Sequence, residues 1–314
     1  MRAAAIDAFG GPEVLTLHHL PVPLPGADEV LIQLDVAGVG VWDALQREGQ
    51  MIPGVATFPL ILGAEGAGTV VLVGENVTDF GVGDKVYTPS FQNPQGGLYA
   101  RYAAVPQDNV APIPGELDMT MAGAMPVDAV TALRGLDDTL KLRAGESLLI
   151  FGASGGVGHL ALQLAGIMGA RVLAVASGDD GVALTRQLGA DLALNGHAPN
   201  VVEEARAFAP GGFDAMLALA GGEVAEDLAK LVRGGGRVAH PNGVAPLQGG
   251  EDAAVLAYDG TAGREVLGRL NGLIERGPFT VHVDRAYPLS QAADAQRHLN
   301  EHFLGKIVLN TAEE

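Results

Sequence analysis

The chain has 314 residues, enough for about two domains of ordinary size, and its 37 acidic and 19 basic residues give a formal net charge of −18. This charge opposes nonspecific binding to nucleic acid or to an anionic membrane, so neither partner is expected. The sequence contains no cysteine, which excludes disulfides, thiolate zinc sites and a cysteine nucleophile. No stretch approaches the ~18 uninterrupted apolar residues of a membrane helix, and a cytoplasmic protein is predicted.

The first third of the sequence has the pattern of short β-strands separated by turns. Residues 30–36 largely alternate between apolar and polar, residues 68–73 are apolar, and residues 81–86 contain a glycine-rich turn. This pattern predicts a compact β-barrel-like domain.

After about residue 115, apolar runs alternate with segments of helix length. Strands are predicted at 147–151, 171–176, 215–219 and 237–240, and helices at 158–168, 182–188 and 224–231. Such alternation is typical of βαβ units and a parallel sheet. Near the end we expect a strand at 279–283, a helix at 291–302 and a last strand at 306–310 that returns to the first domain.

The strongest local motif is the run LLIFGASGGVG at 148–158, in which a buried strand gives way to glycines that open a helix. Glycines allow a tight turn and a close approach of pyrophosphate, and amides at a helix N-terminus favour the anionic phosphates. Gly158 lets the helix pack closely against the sheet. The motif therefore indicates a dinucleotide-binding turn.

The same residues also fit G-x-S-x-G, the strand-to-helix elbow that exposes the serine nucleophile of hydrolases. Ser154 would then be the nucleophile, and the acid and base would come from the pairs Asp214 or Asp227 and His240 or His282. These residues follow the chain order serine, acid, histidine, but in a sequence with 37 acids and 8 histidines that order is weak support. Gly158 and the later βα units favour dinucleotide binding.

Several ordered segments resemble the medium-chain dehydrogenase/reductase superfamily, in its zinc-independent quinone oxidoreductase branch. They are MRAAAIDAFGGPEVL at the start, FPLILGAEGAGTVVLVGENVTDFGVGDKVY at 58–87, GGLYARYAAVP at 96–106, AGESLLIFGASGGVGHLALQLA at 144–165 and LGKIVL at 304–309. The resemblance implies a GroES-like β-barrel catalytic domain at 1–118 and 284–314, and a Rossmann domain with a doubly wound parallel sheet at 119–283. It also implies a nicotinamide cleft at their junction and a homodimer.

Departures from zinc-dependent relatives point away from a metal. Ala64 stands between Gly63 and Glu65, where those relatives carry a histidine, and the thiolate ligands are missing as well. The segment 298–302, HLNEH, fits a metalloprotease signature, but few residues follow it and a solvated helix face is the favoured interpretation. No metal site is predicted.

Cofactor choice is expected to depend on the end of the second Rossmann strand, where an acidic residue would bind the ribose of NAD. Ala176 and Ser177 stand there and leave room for the 2′-phosphate of NADPH, although NADH remains possible. Asp179 and Asp180 follow, where relatives that use NADPH often carry a basic residue. We expect one of the two to cap a helix that begins near Val182.

The resemblance implies the remaining site residues. Thr131 would lie beside the nicotinamide, and the loops around Ala220, Asn242 and Gly243 would line its pocket. The residues implied at the pyrophosphate are Ser154, Gly155, Gly156 and Val157.

On the substrate side, Asp43 remains from a motif whose asparagine position is Gly40 here, which weakens any mechanism that uses that asparagine. Trp42, the only tryptophan, is a candidate wall of the acceptor pocket or a packing residue. Tyr99 is the candidate hydroxyl near the acceptor, with a structural hydrogen bond as the alternative.

Together these features predict an oxidoreductase that transfers hydride from NADPH to a quinone or an α,β-unsaturated carbonyl compound (an enone). Two alternatives stay open at this point. One is a non-catalytic protein that binds or senses NADPH, and the other is a serine hydrolase that uses Ser154.

Overall fold

The computed structural model describes residues 1–51, 56–91, 93, 95–115 and 117–312. By its internal contacts the chain forms two compact units. Unit 1 comprises Met1–Val127, Ala262–Asn271 and Thr280–Glu314, and unit 2 comprises Asp128–Thr261 and Gly272–Phe279. The domain limits expected from the sequence stay a prediction.

The regular elements follow one another along the chain with short connections. The strands are β1 (Arg2–Ile6), β2 (Thr16–His19), β3 (Glu29–Val39), β4 (Leu60–Ile61), β5 (Glu65–Val73), β6 (Lys85–Pro89), β7 (Tyr102–Pro106), β8 (Ala111–Pro112), β9 (Ser147–Phe151), β10 (Arg171–Ala176), β11 (Leu192–Asn195), β12 (Phe213–Ala218), β13 (Val232–Pro241), β14 (Ala254–Tyr258), β15 (Val283–Pro288) and β16 (Lys306–Asn310). The α-helices are α1 (Val41–Arg47), α2 (Met119–Ala124), α3 (Pro126–Leu133), α4 (Gly156–Ile167), α5 (Gly178–Gln187), α6 (Val201–Phe208), α7 (Glu223–Ala229), α8 (Arg264–Ile274) and α9 (Ala292–His298).

Unit 1 is built on two sheets. A seven-stranded sheet has the order β15-β16-β3-β5-β6-β8, with β7 also paired to β3, and a three-stranded sheet has the order β2-β1-β4. Alternate residues of β3, namely Val30, Ile32 and Leu34, are fully buried in one apolar cluster, as the two-residue period of a strand requires. The antiparallel pairing of β16 with β3 brings the end of the chain back to this unit, as the sequence predicted.

Unit 2 contains a six-stranded sheet in the order β11-β10-β9-β12-β13-β14, and its neighbouring strands pair in parallel. In the central strand β9, the consecutive residues Leu148, Leu149 and Ile150 are all fully buried. Burial of successive residues, which point to opposite faces, is typical of a parallel sheet covered on both faces. The predicted parallel α/β architecture is confirmed.

Three strands match their predicted limits residue for residue, namely β9, β10 and β16. The strand expected at 279–283 is wrong in position, because the observed β15 begins at Val283, where pairing with Lys306 of β16 starts. The helix expected at 291–302 ends at His298, since the chain turns at Leu299 and Asn300.

The helix expected to begin near Val182 begins four residues earlier, at Gly178, with Ser177 as its N-cap residue. Asp179 and Asp180 therefore lie within its first turn, and the expectation that one of them caps the helix is wrong. Carboxylates in a first turn interact favourably with the positive end of the helix dipole.

Within the described residues, no helix combines the length and the apolar character needed to cross a membrane.

Candidate functional site

The predicted cofactor residues of unit 2, apart from Thr131 in α3, lie at or just beyond the carboxyl ends of its strands. The chain runs from β9 outward through β10 to β11, and then crosses to the other side of β9 to form β12, β13 and β14. Ligands of such sheets bind outside the carboxyl ends of the strands, at the point where the order reverses. The residues that follow the carboxyl ends of β9, β10, β12 and β13 include Ser154, Gly155, Ser177, Ala220, Asn242 and Gly243.

The turn between β9 and α4 is shaped by its glycines. Gly152 has a φ of +84°, which favours glycine, and its N–H and that of Ala153 each donate to the carbonyl of Val175 at 3.0 Å. A Cβ on Gly158 would lie 2.2 Å from the carbonyl oxygen of Gly152. The close contact that the sequence predicted for Gly158 is thus between the first turn of α4 and the preceding loop.

Gly155 differs from Gly158 in facing open space. It is the N-cap residue of α4, and a Cβ built on it would approach nothing closer than the Gly152 oxygen, at 3.6 Å. At Gly156, a Cβ would lie 2.6 Å from the carboxylate of Asp128. The N–H groups of a first helical turn have no partner within the helix and suit an anionic phosphate. Gly155, Gly156 and Val157 therefore form a turn that can hold a pyrophosphate.

Ser154 connects this turn to the end of β10. Its side chain is 5% exposed, and its hydroxyl accepts a hydrogen bond from the N–H of Ser177 at 3.4 Å. Asp214, one acid considered for a hydrolase, accepts hydrogen bonds from the N–H and the hydroxyl of Ser147, both at 2.8 Å. Ser147 is the first residue of β9, so Asp214 lies at the amino ends of the parallel strands. The turn that holds Ser154 lies at their carboxyl ends, about 13 Å away.

The other acid considered for a hydrolase, Asp227, is ion-paired with Lys230 at 2.8 Å on the surface of α7. His240 is the last residue but one of β13 and is 5% exposed. In the described part of the chain, the Ser154 hydroxyl accepts from the N–H of Ser177 and has no hydrogen bond to His240, the histidine that would act as its base.

The residues expected near the nicotinamide occupy one helix and two loops. Thr131 lies in α3 and is 8% exposed, and a Cβ on Gly260 would come within 2.2 Å of its hydroxyl. Asn242 donates from its side chain to Asp259 at 2.6 Å, and Gly243 has a φ of +99°. Ala220 and Gly243 are exposed, so a ligand can reach them.

A group at the end of β10 was not recognised in the sequence. The Ser177 hydroxyl lies 3.2 Å from Nε2 of His197, which follows β11, the neighbouring strand. Asn195 donates from its side chain to Asp179 at 3.0 Å. The sequence did carry one signal for this contact: His197 follows two residues after the end of β11, the parallel neighbour of β10.

In unit 1, Asp43 and Tyr99 form a buried pair. Both are fully buried, and Oδ2 of Asp43 accepts hydrogen bonds from the Tyr99 hydroxyl and from the N–H of Gly40, each at 2.9 Å. Burial, followed by the nearby charge of Asp43, holds the pKa of Tyr99 well above its usual range. Tyr99 therefore makes the structural hydrogen bond considered as the alternative, and its catalytic role stays a prediction.

A second buried group contains Glu65 and Lys306. Oε1 of Glu65 accepts from the Lys306 ammonium at 2.7 Å, and Oε2 accepts from the N–H of Val127 at 2.7 Å. The ammonium lies 5.4 Å from the centre of the Trp42 ring. Cations attract the face of an aromatic ring at this distance.

Gly38 in β3 and Gly40 just after it leave space for the side chains of Glu65 and Trp42. A Cβ on Gly38 would lie 2.5 Å from Glu65, and a Cβ on Gly40 would lie 2.2 Å from the Trp42 ring. The glycine at position 40 therefore has a packing reason, because the indole of Trp42 covers it.

Metal-binding side chains are not gathered anywhere in the described residues, where no group of three or more His, Asp or Glu side chains is arranged to hold an ion. His298 ends α9, is 4% exposed, and lies 3.1 Å from the Tyr287 hydroxyl. His302 lies beyond the end of that helix, so the pair does not share a helical face.

Comparison with known proteins identifies the family. A family model described as "Alcohol dehydrogenase GroES-like domain" matches residues 26–115, and one described as "Zinc-binding dehydrogenase" matches residues 156–256. The quinone oxidoreductase of Mus musculus is 30% identical over 314 residues, which cover 95% of this chain and 94% of that protein. The chloroplastic NADPH-dependent alkenal/one oxidoreductase of Arabidopsis thaliana is 32% identical over 319 residues, or 98% and 79% of the two chains.

Solved structures agree with this assignment. A structure described as an NAD-dependent alcohol dehydrogenase superposes with a TM-score of 0.88 at 30% identity, over 99% of each chain. The quinone oxidoreductase of Coxiella burnetii superposes with a TM-score of 0.84 at 26% identity, also over 99% of each chain. These findings confirm a GroES-like unit combined with a Rossmann unit, and the chain belongs to the medium-chain dehydrogenase/reductase superfamily, in its quinone oxidoreductase branch.

Proposed function

We propose that this oxidoreductase transfers a hydride from NADPH to a quinone or to an α,β-unsaturated carbonyl compound. The observation that carries the proposal is the turn after β9, where Gly155 opens α4 beside free space at the carboxyl edge of the parallel sheet. When bound, the nicotinamide supplies the hydride, and the protein holds and orients it.

The residues of the turn have separate tasks in this proposal. Gly155, Gly156 and Val157 hold the pyrophosphate through backbone N–H groups. Ser154 fixes the turn against Ser177 through its hydroxyl. Thr131, Ala220, Asn242 and Gly243 line the nicotinamide side.

The preference for NADPH is supported by the end of β10. Ala176 and Ser177 place no carboxylate directly after the strand, so the acidic residue that would bind the ribose of NAD and exclude a 2′-phosphate is missing at this position. The Arabidopsis relative is named for its NADPH dependence, whereas a structural neighbour at 30% identity is named for NAD. NADH is therefore retained as the weaker cofactor.

The choice of acceptor is supported by the residues of unit 1 and by the names of the relatives. Ala64 and the absence of cysteine remove the side chains that would hold a catalytic zinc. An acceptor that takes hydride readily, such as a quinone or an enone, has the least need of a Lewis acid. Relatives at 30% and 32% identity are named as quinone and alkenal/one oxidoreductases.

Trp42, Tyr99 and Asp43 enter the proposal on the acceptor side. Trp42 offers an aromatic face, and the buried hydrogen bonds of Asp43 to Tyr99 and to Gly40 hold the start of α1, which carries that tryptophan. In this scheme Tyr99 and Asp43 position Trp42.

The test is a turnover assay with NADPH or NADH against a panel that contains a benzoquinone, an alkenal, an enone and ethanol with the oxidised cofactor. We expect reduction of a quinone or an enone to exceed oxidation of ethanol by at least about a hundredfold, with no loss after exhaustive chelation. Alcohol oxidation that is lost on chelation and restored by zinc would refute the proposal.

The same assay separates the alternatives. Ester cleavage that is abolished by Ser154→Ala would establish the hydrolase. Tight NADPH binding without turnover of any acceptor would instead establish a binding or sensing protein.

The proposal includes a homodimer in the cytoplasm. An edge of the unit 2 sheet is formed by β14, where Val255 and Leu256 are each 36% exposed. An exposed apolar edge strand is a ready partner for a second copy of the same strand. Light scattering during gel filtration should give the mass of two chains.

A further inference from the structure

We propose that His197 binds the 2′-phosphate of NADPH and that its protonation makes the choice between NADPH and NADH depend on pH. This inference rests on the proposed function, because it requires a nicotinamide dinucleotide at the carboxyl edge of the unit 2 sheet. Nothing in the sequence motifs pointed to His197.

The position of His197 follows from the register of two neighbouring strands. β10 and β11 are parallel, with Ala176 beside Asn195 in the ladder. The chain leaves both strands at the same edge, and this brings Nε2 of His197 to 3.2 Å from the Ser177 hydroxyl. Both side chains are exposed, so a ligand can reach them together.

Backbone contacts hold the loop that carries His197. Its own N–H donates to the side-chain oxygen of Asn195 at 3.0 Å, and the N–H of Gly196 donates to the carbonyl of Ala176 at 2.8 Å. The side-chain amide of Asn195 in turn donates to Asp179 at 3.0 Å. The imidazole thus stands on a loop that is tied to both β10 and α5.

Protonation changes what the Ser177–His197 pair can offer. A neutral imidazole can accept the Ser177 hydroxyl proton at Nε2, which leaves the hydroxyl unable to donate to a phosphate. A protonated imidazole has no acceptor, so the pair must reverse: Nε2–H donates to the Ser177 oxygen, and the hydroxyl proton is free for a phosphate oxygen. Protonation therefore supplies a positive charge and an additional donor at the same point.

The charged residues near His197 make phosphate binding depend on its protonation. The first turn of α5 carries Asp179 and Asp180, and the first turn of α6 carries Glu203 and Glu204. The basic residues of these helices, Arg186 and Arg206, lie in their last turns. The segments 177–182 and 195–200 contain no lysine or arginine.

Asp179 and Asp180, which directly follow the Ser177–Gly178 turn, would therefore oppose a phosphate dianion unless His197 is charged. Histidine ordinarily changes its charge between pH 5 and 8, within the physiological range of pH. NADH carries a 2′-hydroxyl at this position, which can donate a hydrogen bond to a carboxylate such as that of Asp179. The site favours NADPH when His197 is protonated and loses that preference when it is neutral.

The experiment is calorimetric titration of the whole protein with NADPH and with NADH between pH 6.0 and 8.5. We expect the ratio of the two dissociation constants to favour NADPH about fivefold more at pH 6.0 than at pH 8.5, the effect of one partly exposed charge pair. In His197→Asn the ratio should be the same at both values, within twofold. In His197→Arg the preference for NADPH should persist at pH 8.5.

Two variants serve as controls. His197→Arg also reports the titration of the phosphate itself, whose second pKa is about 6, because arginine keeps its charge throughout. His19→Asn removes an exposed histidine of β2 and should behave as the unaltered protein.

The outcomes distinguish this inference from the proposed function. NADPH binding whose preference over NADH is independent of pH, or depends on pH equally in His197→Asn, overturns the role of His197 alone. If neither dinucleotide binds the folded protein at any pH, the proposed function fails as well.

Discussion

Single residues of unit 1 show how a buried charge can be retained. Lys306 is 2% exposed, and its ammonium lies 2.7 Å from the Glu65 carboxylate and 5.4 Å from the centre of the Trp42 ring. Glu65 is fully buried and also accepts the N–H of Val127. Removing one partner of a buried ion pair costs more than removing both, because the remaining charge stays desolvated.

Lys306→Met is therefore expected to lower the free energy of unfolding by about 3 to 5 kcal/mol. Urea denaturation followed by the fluorescence of Trp42, the only tryptophan, measures this loss and reports the environment of the ring itself. The double variant Glu65→Gln with Lys306→Met should recover part of the stability. A single variant as stable as the unaltered protein would show that the pair contributes nothing.

At the scale of elements, strand positions were predicted more closely than helix ends. β9, β10 and β16 are short apolar runs whose limits are set by glycines and charged residues, and the sequence carries both signals. The start of α5 was misplaced because its first turn contains Gly178 and two aspartates, residues of low helix propensity that are held by the end of β10. The start of β15 was misplaced because its partner, β16, comes later in the chain.

The candidate site could be predicted only where its residues are neighbours in the sequence. The glycine turn at 152–158 is contiguous in sequence, and its residues were all named from the motif. His197 and Ser177 lie on different strands, and the burial of Tyr99 against Asp43 joins residues 56 positions apart. Such pairs depend on sheet order and packing, which no short motif encodes.

Gly155, the N-cap residue of α4, and Gly158, in the first turn of α4, are expected to respond in opposite ways to substitution. Gly155→Val should fold normally, because a Cβ there meets open space and its φ of −81° suits any residue, but it should lose NADPH binding by at least about tenfold as the side chain fills the pyrophosphate position. Gly158→Ala should instead destabilise the protein, because the Cβ would lie 2.2 Å from the Gly152 oxygen.

Thermal unfolding and calorimetric NADPH titration of both variants provide the check. A folded Gly155→Val protein that binds NADPH as tightly as the unaltered protein would remove the pyrophosphate site from this turn.

At the scale of the whole molecule, three buried phenols make stability depend on alkaline pH. Burial raises the pKa values of Tyr87, Tyr99 and Tyr258 above the ordinary 10.0. Above pH 10 these tyrosines lose protons in the unfolded state and keep them in the native state. The native state then binds more protons, so stability falls as pH rises.

We therefore expect the melting temperature to be nearly independent of these tyrosines below pH 9.5 and to fall steadily above pH 10. Tyr258→Phe should make the alkaline fall less steep, since phenylalanine has no proton to lose. Equal slopes for this variant and for the unaltered protein between pH 10 and 11 would contradict the assignment.

The measurement that tests the central claim most directly is the transfer of isotope from the cofactor. The protein is incubated with NADPH that carries deuterium at nicotinamide C4, in each of the two configurations in turn, and with an α,β-unsaturated ketone, and the product is analysed by mass spectrometry. If the chain is a nicotinamide-dependent reductase, one configuration yields a product one mass unit heavier, with the deuterium bound to carbon. A product without label from either configuration, or oxidation of NADPH without any reduced acceptor, would contradict hydride transfer.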